Sequence, residues 1–257
     1  MFRQRNFIKS TRKGCQLDDC LASRIQMVKR AGQPWPPAAT NTGVWRFNLF
    51  GFPITVEPLF WLSCLLLGGG LNTRGREGVI LLLIWTVVVL VSITVHELGH
   101  ALAGRRYGAQ PEIKLHGMGG VAIMHSGYFT RPQSILVSAA GPLASLALGG
   151  LVWLVDRAYP AHSYYAIRMV KDLLWVNFFW TAVNLLPILP LDGGQIVRDL
   201  LGPRRIQISI WLGVVCAVLA AAFAYQVLGQ LYLCIMLLIL AFLNFQNQNL
   251  QGGVMRD

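Results

Sequence analysis

His96, Glu97 and His100 form the clearest chemical group in this chain of 257 residues, in the pattern H-E-x-x-H. An α-helix turns by about 100° per residue, so the two histidines lie roughly 40° apart on one face and can bind one metal ion. Glu97 projects beside them, where a carboxylate can act as a base toward a water molecule. The three residues therefore predict a metal-dependent hydrolytic site with Glu97 as its catalytic residue.

The helix that must position this motif is strongly apolar. An uncharged run of 18 residues, from Gly78 to Val95, leads directly into His96 and is long enough for most of a transmembrane helix. Over the whole chain 54% of residues are hydrophobic and only 13% are charged, whereas soluble domains carry about 25% charged residues. The chain is therefore predicted to be a polytopic helical membrane protein. Ionisable residues at membrane depth indicate a functional site.

The expected fold class is an all-α polytopic membrane protein of about six transmembrane helices, with a small membrane-associated β-hairpin after the second. The hairpin is predicted over residues 111–124, where a loosely alternating pattern surrounds Gly117, Gly119 and Gly120. The six spans are predicted at about residues 59–71, 77–107, 133–155, 166–186, 206–225 and 228–244.

Two regions are expected: a basic N-terminal tail over residues 1–46 and a membrane domain over residues 47–257. The tail carries nine Lys or Arg residues and is predicted to be disordered or interfacial. An amphipathic helix over residues 17–30 is the alternative to disorder. No cleavable signal peptide is expected, because the tail lacks an apolar core of the needed length.

The distribution of positive charge predicts the orientation of the spans. Of the 22 Lys and Arg residues, 17 fall on the side of the N-terminus if the chain crosses six times. The positive-inside rule then places both termini and the active-site end in the cytoplasm. The net charge of +11 is explained by this bias and by contact with the lipid bilayer, so no nucleic-acid partner is expected.

A third metal ligand is expected outside the H-E-x-x-H motif. The extended pattern of soluble zinc proteases requires Gly and His at two positions that hold Ala103 and Arg106 here. Among the downstream carboxylates Asp192 is favoured, because it ends the fourth span on the same side of the membrane as the histidines. Asp199 and Glu112 are the alternatives.

These motifs resemble the site-2 proteases, the intramembrane zinc metalloproteases of peptidase family M50. The resemblance covers about residues 43–202 and is carried by four segments, at residues 96–100, 119–122, 140–144 and 184–194. It is closest to the compact, sporulation-factor-protease-like type without a PDZ or CBS domain. The resemblance implies one Zn²⁺ per chain, held by His96, His100 and Asp192. It also implies a bacterial inner-membrane location and hydrolysis of a peptide bond in or near the transmembrane segment of a single-span substrate, as in regulated intramembrane proteolysis.

The resemblance further implies contacts to the substrate or transition state from Asn184, Gly119, Gly120 and Ser145. For Asn184 a helix–helix hydrogen bond is the alternative. Ser145 stands where the family often has Asn, and serine keeps a hydroxyl but has a shorter reach. The glycine-rich hairpin could accept the substrate as an added strand.

Two other functions use the same His/Asp site: a non-proteolytic metal-binding membrane scaffold and an ion transporter. Glu97 disfavours both, since metal binding needs the ligands but not a base beside them.

Overall fold

The computed structural model describes residues 43–68 and 74–254, with side chains up to residue 246. Most of the predicted basic tail, residues 1–42, lies outside these described residues.

The described chain is mostly helical and contains one small sheet. The strands are β1 (Trp45–Leu49), β2 (Phe52–Val56), β3 (Gln110–His116) and β4 (Gly119–His125). The helices are α1 (Pro58–Leu67), α2 (Gly75–Arg106), α3 (Arg131–Ala158), α4 (Tyr164–Trp175), α5 (Thr181–Asn184), α6 (Asp192–Leu201), α7 (Ile206–Gln226) and α8 (Leu231–Val254). A π-helical segment, Val176–Trp180, joins α4 to α5, and a 3-10 turn, Pro203–Arg205, precedes α7.

Three helical stretches of the described chain are long and apolar enough to cross a membrane: α2, α3, and α7 with its preceding 3-10 turn. The 32 residues of α2 extend about 48 Å, which exceeds the roughly 30 Å hydrocarbon core of a bilayer. Large apolar side chains on these helices, such as Leu83 and Leu219, are more than half exposed, as contact with lipid requires. The protein is therefore a multi-pass membrane protein. The count of six spans stays a prediction.

The predicted fourth span is not one continuous α-helix. The π-helical segment interrupts it between α4 and α5. A Cβ atom added at Gly149 of α3 would lie 3.2 Å from Asn177 Cβ, so α3 packs directly against this segment. π-helical turns are rare and often occur at functional sites.

The predicted hairpin is present as β3 and β4, and it belongs to a larger sheet than the sequence indicated. The strand order is β1-β2-β3-β4, with two antiparallel hairpins joined by the parallel pairing of β2 and β3. In that parallel pair Ile54 lies opposite Ile113. β4 is therefore an outer strand of the sheet.

One face of the sheet packs on the helix that carries the metal motif. Ile54, Ile113 and Leu115 are almost fully buried and belong to the same apolar cluster as Val88 and Ala101 of α2. Burying each Ile or Leu side chain contributes about 1.5–3 kcal/mol. This packing fixes β4 beside the end of α2.

Candidate active site

Three buried side chains converge from two separate parts of the chain. His96 and His100 lie on α2, and Asp192 is the first residue of α6. His96 Nε2 lies 3.0 Å from Asp192 Oδ2 and 3.2 Å from His100 Nε2. His100 Nε2 lies 3.3 Å from Asp192 Oδ1. The ligand set expected from the sequence thus meets in space, although His96 and Asp192 are 96 positions apart.

Two residues of helix α3 form hydrogen bonds with the Nδ1 atoms of the histidines. His100 Nδ1 lies 2.7 Å from the Val137 carbonyl oxygen, and because a carbonyl only accepts, Nδ1 donates its hydrogen. His96 Nδ1 lies 3.0 Å from Ser145 Oγ, which can accept the same kind of bond. In a neutral imidazole, a hydrogen on Nδ1 leaves the lone pair on Nε2. Both Nε2 atoms are then arranged as metal ligands, since such partners orient histidines in metal sites.

The spacing of the three groups fits a small divalent cation. Bonds of about 2 Å in a tetrahedral zinc site place neighbouring ligand atoms roughly 3.3 Å apart. The corresponding distances here are 3.0, 3.2 and 3.3 Å. Imidazole lone pairs and a carboxylate that face each other repel unless a cation or proton lies between them. His96, His100 and Asp192 could therefore hold a metal ion.

Glu97 lies between the metal-ligand group and the sheet, and only 5% of its surface is exposed. The backbone N–H of Ala122 on β4 donates a hydrogen bond to its carboxylate. A Cβ atom at Gly120 would lie 2.6 Å from Glu97 Cγ and 2.7 Å from Oε1, closer than atoms can approach. The glycine therefore lets the strand bring its backbone up to the carboxylate with no side chain between them.

Two further glycines permit the close approach of the metal-ligand residues to their surroundings. A Cβ atom at Gly141 on α3 would lie 2.1 Å from His100 Nε2. One at Gly193, directly after Asp192, would lie 2.1 Å from the Leu185 carbonyl oxygen. Any larger residue at either position would have to move the ligand or the loop that carries it.

Several known proteins are similar to this chain in sequence or in structure. Residues 148–223 match the sequence model of peptidase family M50. The chain is 29% identical over 169 residues to a zinc metalloprotease of Methanocaldococcus jannaschii, covering 64% of this chain and 47% of that protein. It is 30% identical over 146 residues to stage IV sporulation protein FB of Bacillus subtilis, covering 56% of this chain and 46% of that protein. The solved structure of a site-2 protease from Methanocaldococcus jannaschii matches with a TM-score of 0.56 and 25% identity, covering 79% of this chain and 94% of that one. The family model, the named metalloprotease and the solved structure together support the site-2 protease family for this chain.

The chain spans about half the length of these two curated relatives. The M50 match contains Asp192 but not the H-E-x-x-H motif. In the structure, Asp192 from the matched region lies within 3.3 Å of both histidines of the motif.

A cavity of about 530 Å³ opens onto this group of residues. Its wall contains all four residues expected to contact the substrate: Asn184, Gly119, Gly120 and Ser145. The Asn184 side chain forms no hydrogen bond with another residue of the described chain, so its amide can pair with a ligand. The Ser145 hydroxyl instead forms a hydrogen bond with His96 Nδ1. The substrate contacts of all four residues stay predictions.

The two alternative ligands have partners outside the metal group. Asp199 accepts hydrogen bonds from Arg198 Nε, at 2.9 Å, and from the Ser134 hydroxyl. Burial by itself raises the pKa of Asp199, but these hydrogen bonds outweigh it and lower the pKa, so the carboxylate is ionised at neutral pH. Glu112 lies 3.3 Å from His125 on the sheet.

Two contacts of the candidate site were not predicted from the sequence. Val137 contributes only its backbone carbonyl, which no side-chain pattern reveals. The Ser145–His96 bond had a usable signal, because Ser145 follows Gly141 by four residues and so lies on the same face of α3.

Proposed function

We propose that this protein is an intramembrane zinc metalloprotease that hydrolyses a peptide bond in or near a transmembrane segment of a membrane-protein substrate. The supporting observation is that Glu97 lines the same cavity as His96, His100 and Asp192. Helix α2, which carries Glu97 and both histidines, is long and apolar enough to cross a membrane. A scaffold or transporter would need the ligands but not Glu97. The test is processing of single-span membrane proteins by the wild type and by Glu97→Gln, with no processing by the variant.

The proposed cofactor is one Zn²⁺ held by His96 Nε2, His100 Nε2 and the Asp192 carboxylate. Bound zinc supplies Lewis acidity that activates a water molecule and polarises the scissile carbonyl. Nitrogen and carboxylate donors suit zinc, and the relative from Methanocaldococcus jannaschii is named a zinc metalloprotease.

The remaining chemistry is proposed for two side chains. Glu97 accepts the proton of the attacking water and delivers it to the leaving nitrogen, which makes it general base and then general acid. The Asn184 amide donates a hydrogen bond to the substrate carbonyl oxygen, or to its neighbouring backbone, as negative charge develops.

The proposed topology has six spans, with both termini and the active-site end in the cytoplasm and the protein in a bacterial inner membrane. The supporting observation is that 17 of 22 Lys and Arg residues fall on one side of such a topology. The three further spans would be α1, the interrupted segment over residues 164–184, and α8. Of these, α1 and residues 231–246 of α8 are short apolar helices.

The proposed substrate is a single-span protein whose helix unwinds locally, because a helical peptide bond is hydrogen-bonded and shielded. The outer strand β4 offers a place for the unwound segment. Since the Ala122 N–H points away from β3 toward Glu97, the alternation of an antiparallel strand turns the backbone groups of Gly120 and Met124 the same way. The substrate would add to this edge as a further strand beside Glu97.

A proline at Met124 tests this docking edge. Met124→Pro removes an N–H from the free edge, and outer strands tolerate proline. We expect cleavage of a single-span peptide to fall about tenfold or more, with zinc content unchanged. Met124→Leu, which keeps the N–H and a similar volume, should retain activity. Equal cleavage by the two variants would rule out strand addition at this position.

Removal of the Ser145 hydroxyl tests the support of His96. Ser145 Oγ is hydrogen-bonded to His96 Nδ1 and so orients this ligand. We therefore expect Ser145→Ala to lower zinc affinity about 10- to 100-fold. Competition with a chromogenic chelator measures this affinity. Ser138 is buried in the same helix, lines the same cavity and hydrogen-bonds neither ligand histidine, so Ser138→Ala is the matched control. Unchanged zinc affinity in Ser145→Ala would leave substrate contact as the role of this residue.

A further inference from the structure

A second group of buried polar side chains lies in the cavity wall, one helical turn before His96. Ser92 of α2, Asn177 of the π-helical segment and Thr181 of α5 are 3%, 1% and 3% exposed. All three line the cavity that contains Glu97. Asn177 contacts α2 at Ser92, four residues before His96.

The hydrogen bonds of this group are incomplete. The Asn177 amide nitrogen donates to Ser92 Oγ and to the Leu173 carbonyl oxygen, both at 2.9 Å, so both of its hydrogens are used. Asn177 Oδ1 and Thr181 Oγ1 have no partner among the described residues. Buried polar atoms without partners destabilise a fold, and in native proteins they call for an explanation such as a ligand.

The π-helical segment and α5 place Asn177 and Thr181 in one row with Asn184. Asn177, Thr181 and Asn184 follow one another at intervals of four and three residues, and all three line the cavity. Seven residues of helix extend about 10 Å, which equals about three residues of an extended peptide. The row formed by Asn184, Thr181 and Asn177 therefore extends about 10 Å along the cavity wall from the proposed reaction centre.

We propose that Asn177 and Thr181 form a subsite for the unwound backbone of the substrate, about three residues from the scissile bond. This inference rests on the proposed function and adds a specificity element to it. Asn177 Oδ1 can only accept, so it requires an N–H or O–H donor, and Thr181 Oγ1 can donate or accept. An unwound segment carries such unpaired N–H and C=O groups and cannot pair them in lipid. The side chains that shield the two atoms must part as the substrate enters.

The test uses binding rather than cleavage, so that it does not depend on catalysis. A fluorescent single-span Leu/Ala peptide with a central Asn-Gly pair is titrated into the Glu97→Gln protein in nanodiscs. Adding Thr181→Val is expected to weaken binding about tenfold without lowering the unfolding temperature, because it removes a hydroxyl that has no partner in the free protein. Thr181→Ser should restore binding. Ser209→Ala is the control, since Ser209 Oγ is equally buried and unpartnered but lies outside the cavity.

Peptides with one backbone amide replaced by an ester locate the contact. One replacement, about three residues from the Asn-Gly pair, should weaken binding to the Glu97→Gln parent by a larger factor than binding to the Thr181→Val form, which keeps only Asn177 Oδ1 as a partner. Equal losses at every position would mean that water, not substrate, pairs with these atoms and would overturn the subsite. Undiminished binding by Thr181→Val, a loss shared by Ser209→Ala, or no binding by the parent would also overturn it. If the wild type cleaves no peptide while the Thr181 dependence persists, the proposed function fails and the subsite stands.

Discussion

Asp192→Ala is expected to yield a folded protein that no longer retains zinc through purification. Asp192 contributes the only anionic donor of the ligand group, at 3.0 Å and 3.3 Å from the two histidine Nε2 atoms. Its loss leaves two neutral imidazoles, and we expect zinc affinity to fall on the order of a thousandfold. Elemental analysis of zinc per chain after dialysis measures the effect.

The matched control for this prediction is Asp199→Ala. Asp199 lies on the same helix and is ionised, but its partners are Arg198 and Ser134. We expect this variant to keep its zinc. Undiminished zinc in Asp192→Ala together with loss in Asp199→Ala would move the third ligand to Asp199, and retention by both would direct attention to Glu112.

Glu97→Gln is expected to lower the rate of proteolysis by about a hundredfold or more while leaving zinc binding intact. The glutamine amide keeps the shape of the side chain and can still accept the Ala122 N–H, but it cannot take a proton from water. General acid–base catalysis contributes about 10²- to 10⁴-fold to such reactions, and cleavage should fall by that factor. The measurement is the rate of cleavage of a single-span peptide in nanodiscs, with zinc content determined on the same samples.

Glu112→Gln is the control for the loss of a carboxylate. Glu112 lies on β3, outside the cavity, and pairs with His125. Its replacement should leave both cleavage and zinc unchanged. A loss of zinc in Glu97→Gln would show that Glu97 acts as a ligand and would remove its assignment as the base.

The parts of the site that sequence indicated are those set by local geometry. The spacing of His96 and His100 fixes a shared helix face whatever the helix packs against. The hairpin at β3 and β4 follows from alternation around glycines. Asp192 could be favoured as the third ligand because the charge distribution predicts which side of the membrane each span ends on, without knowledge of how the helices pack.

The parts that sequence did not indicate depend on how distant segments pack. The parallel pairing of β2 with β3 joins Ile54 to Ile113, and no local pattern specifies a partner that far along the chain. The Ser145–His96 bond depends on the rotation of α3 about its axis, which hydropathy does not fix in a helix exposed to lipid. The π-helical segment changes the register of the fourth predicted span without changing its composition.

The most direct measurement is mass spectrometry of the products that zinc-loaded protein forms from a single-span peptide in H₂¹⁸O. We expect the wild type to give two fragments, with ¹⁸O in the new carboxyl terminus of the first, as hydrolysis requires. We expect Glu97→Gln and chelator-treated wild type to give neither fragment. Equal yields of fragments from Glu97→Gln and the wild type would contradict the assignment of this site as a Glu97-dependent metalloprotease centre.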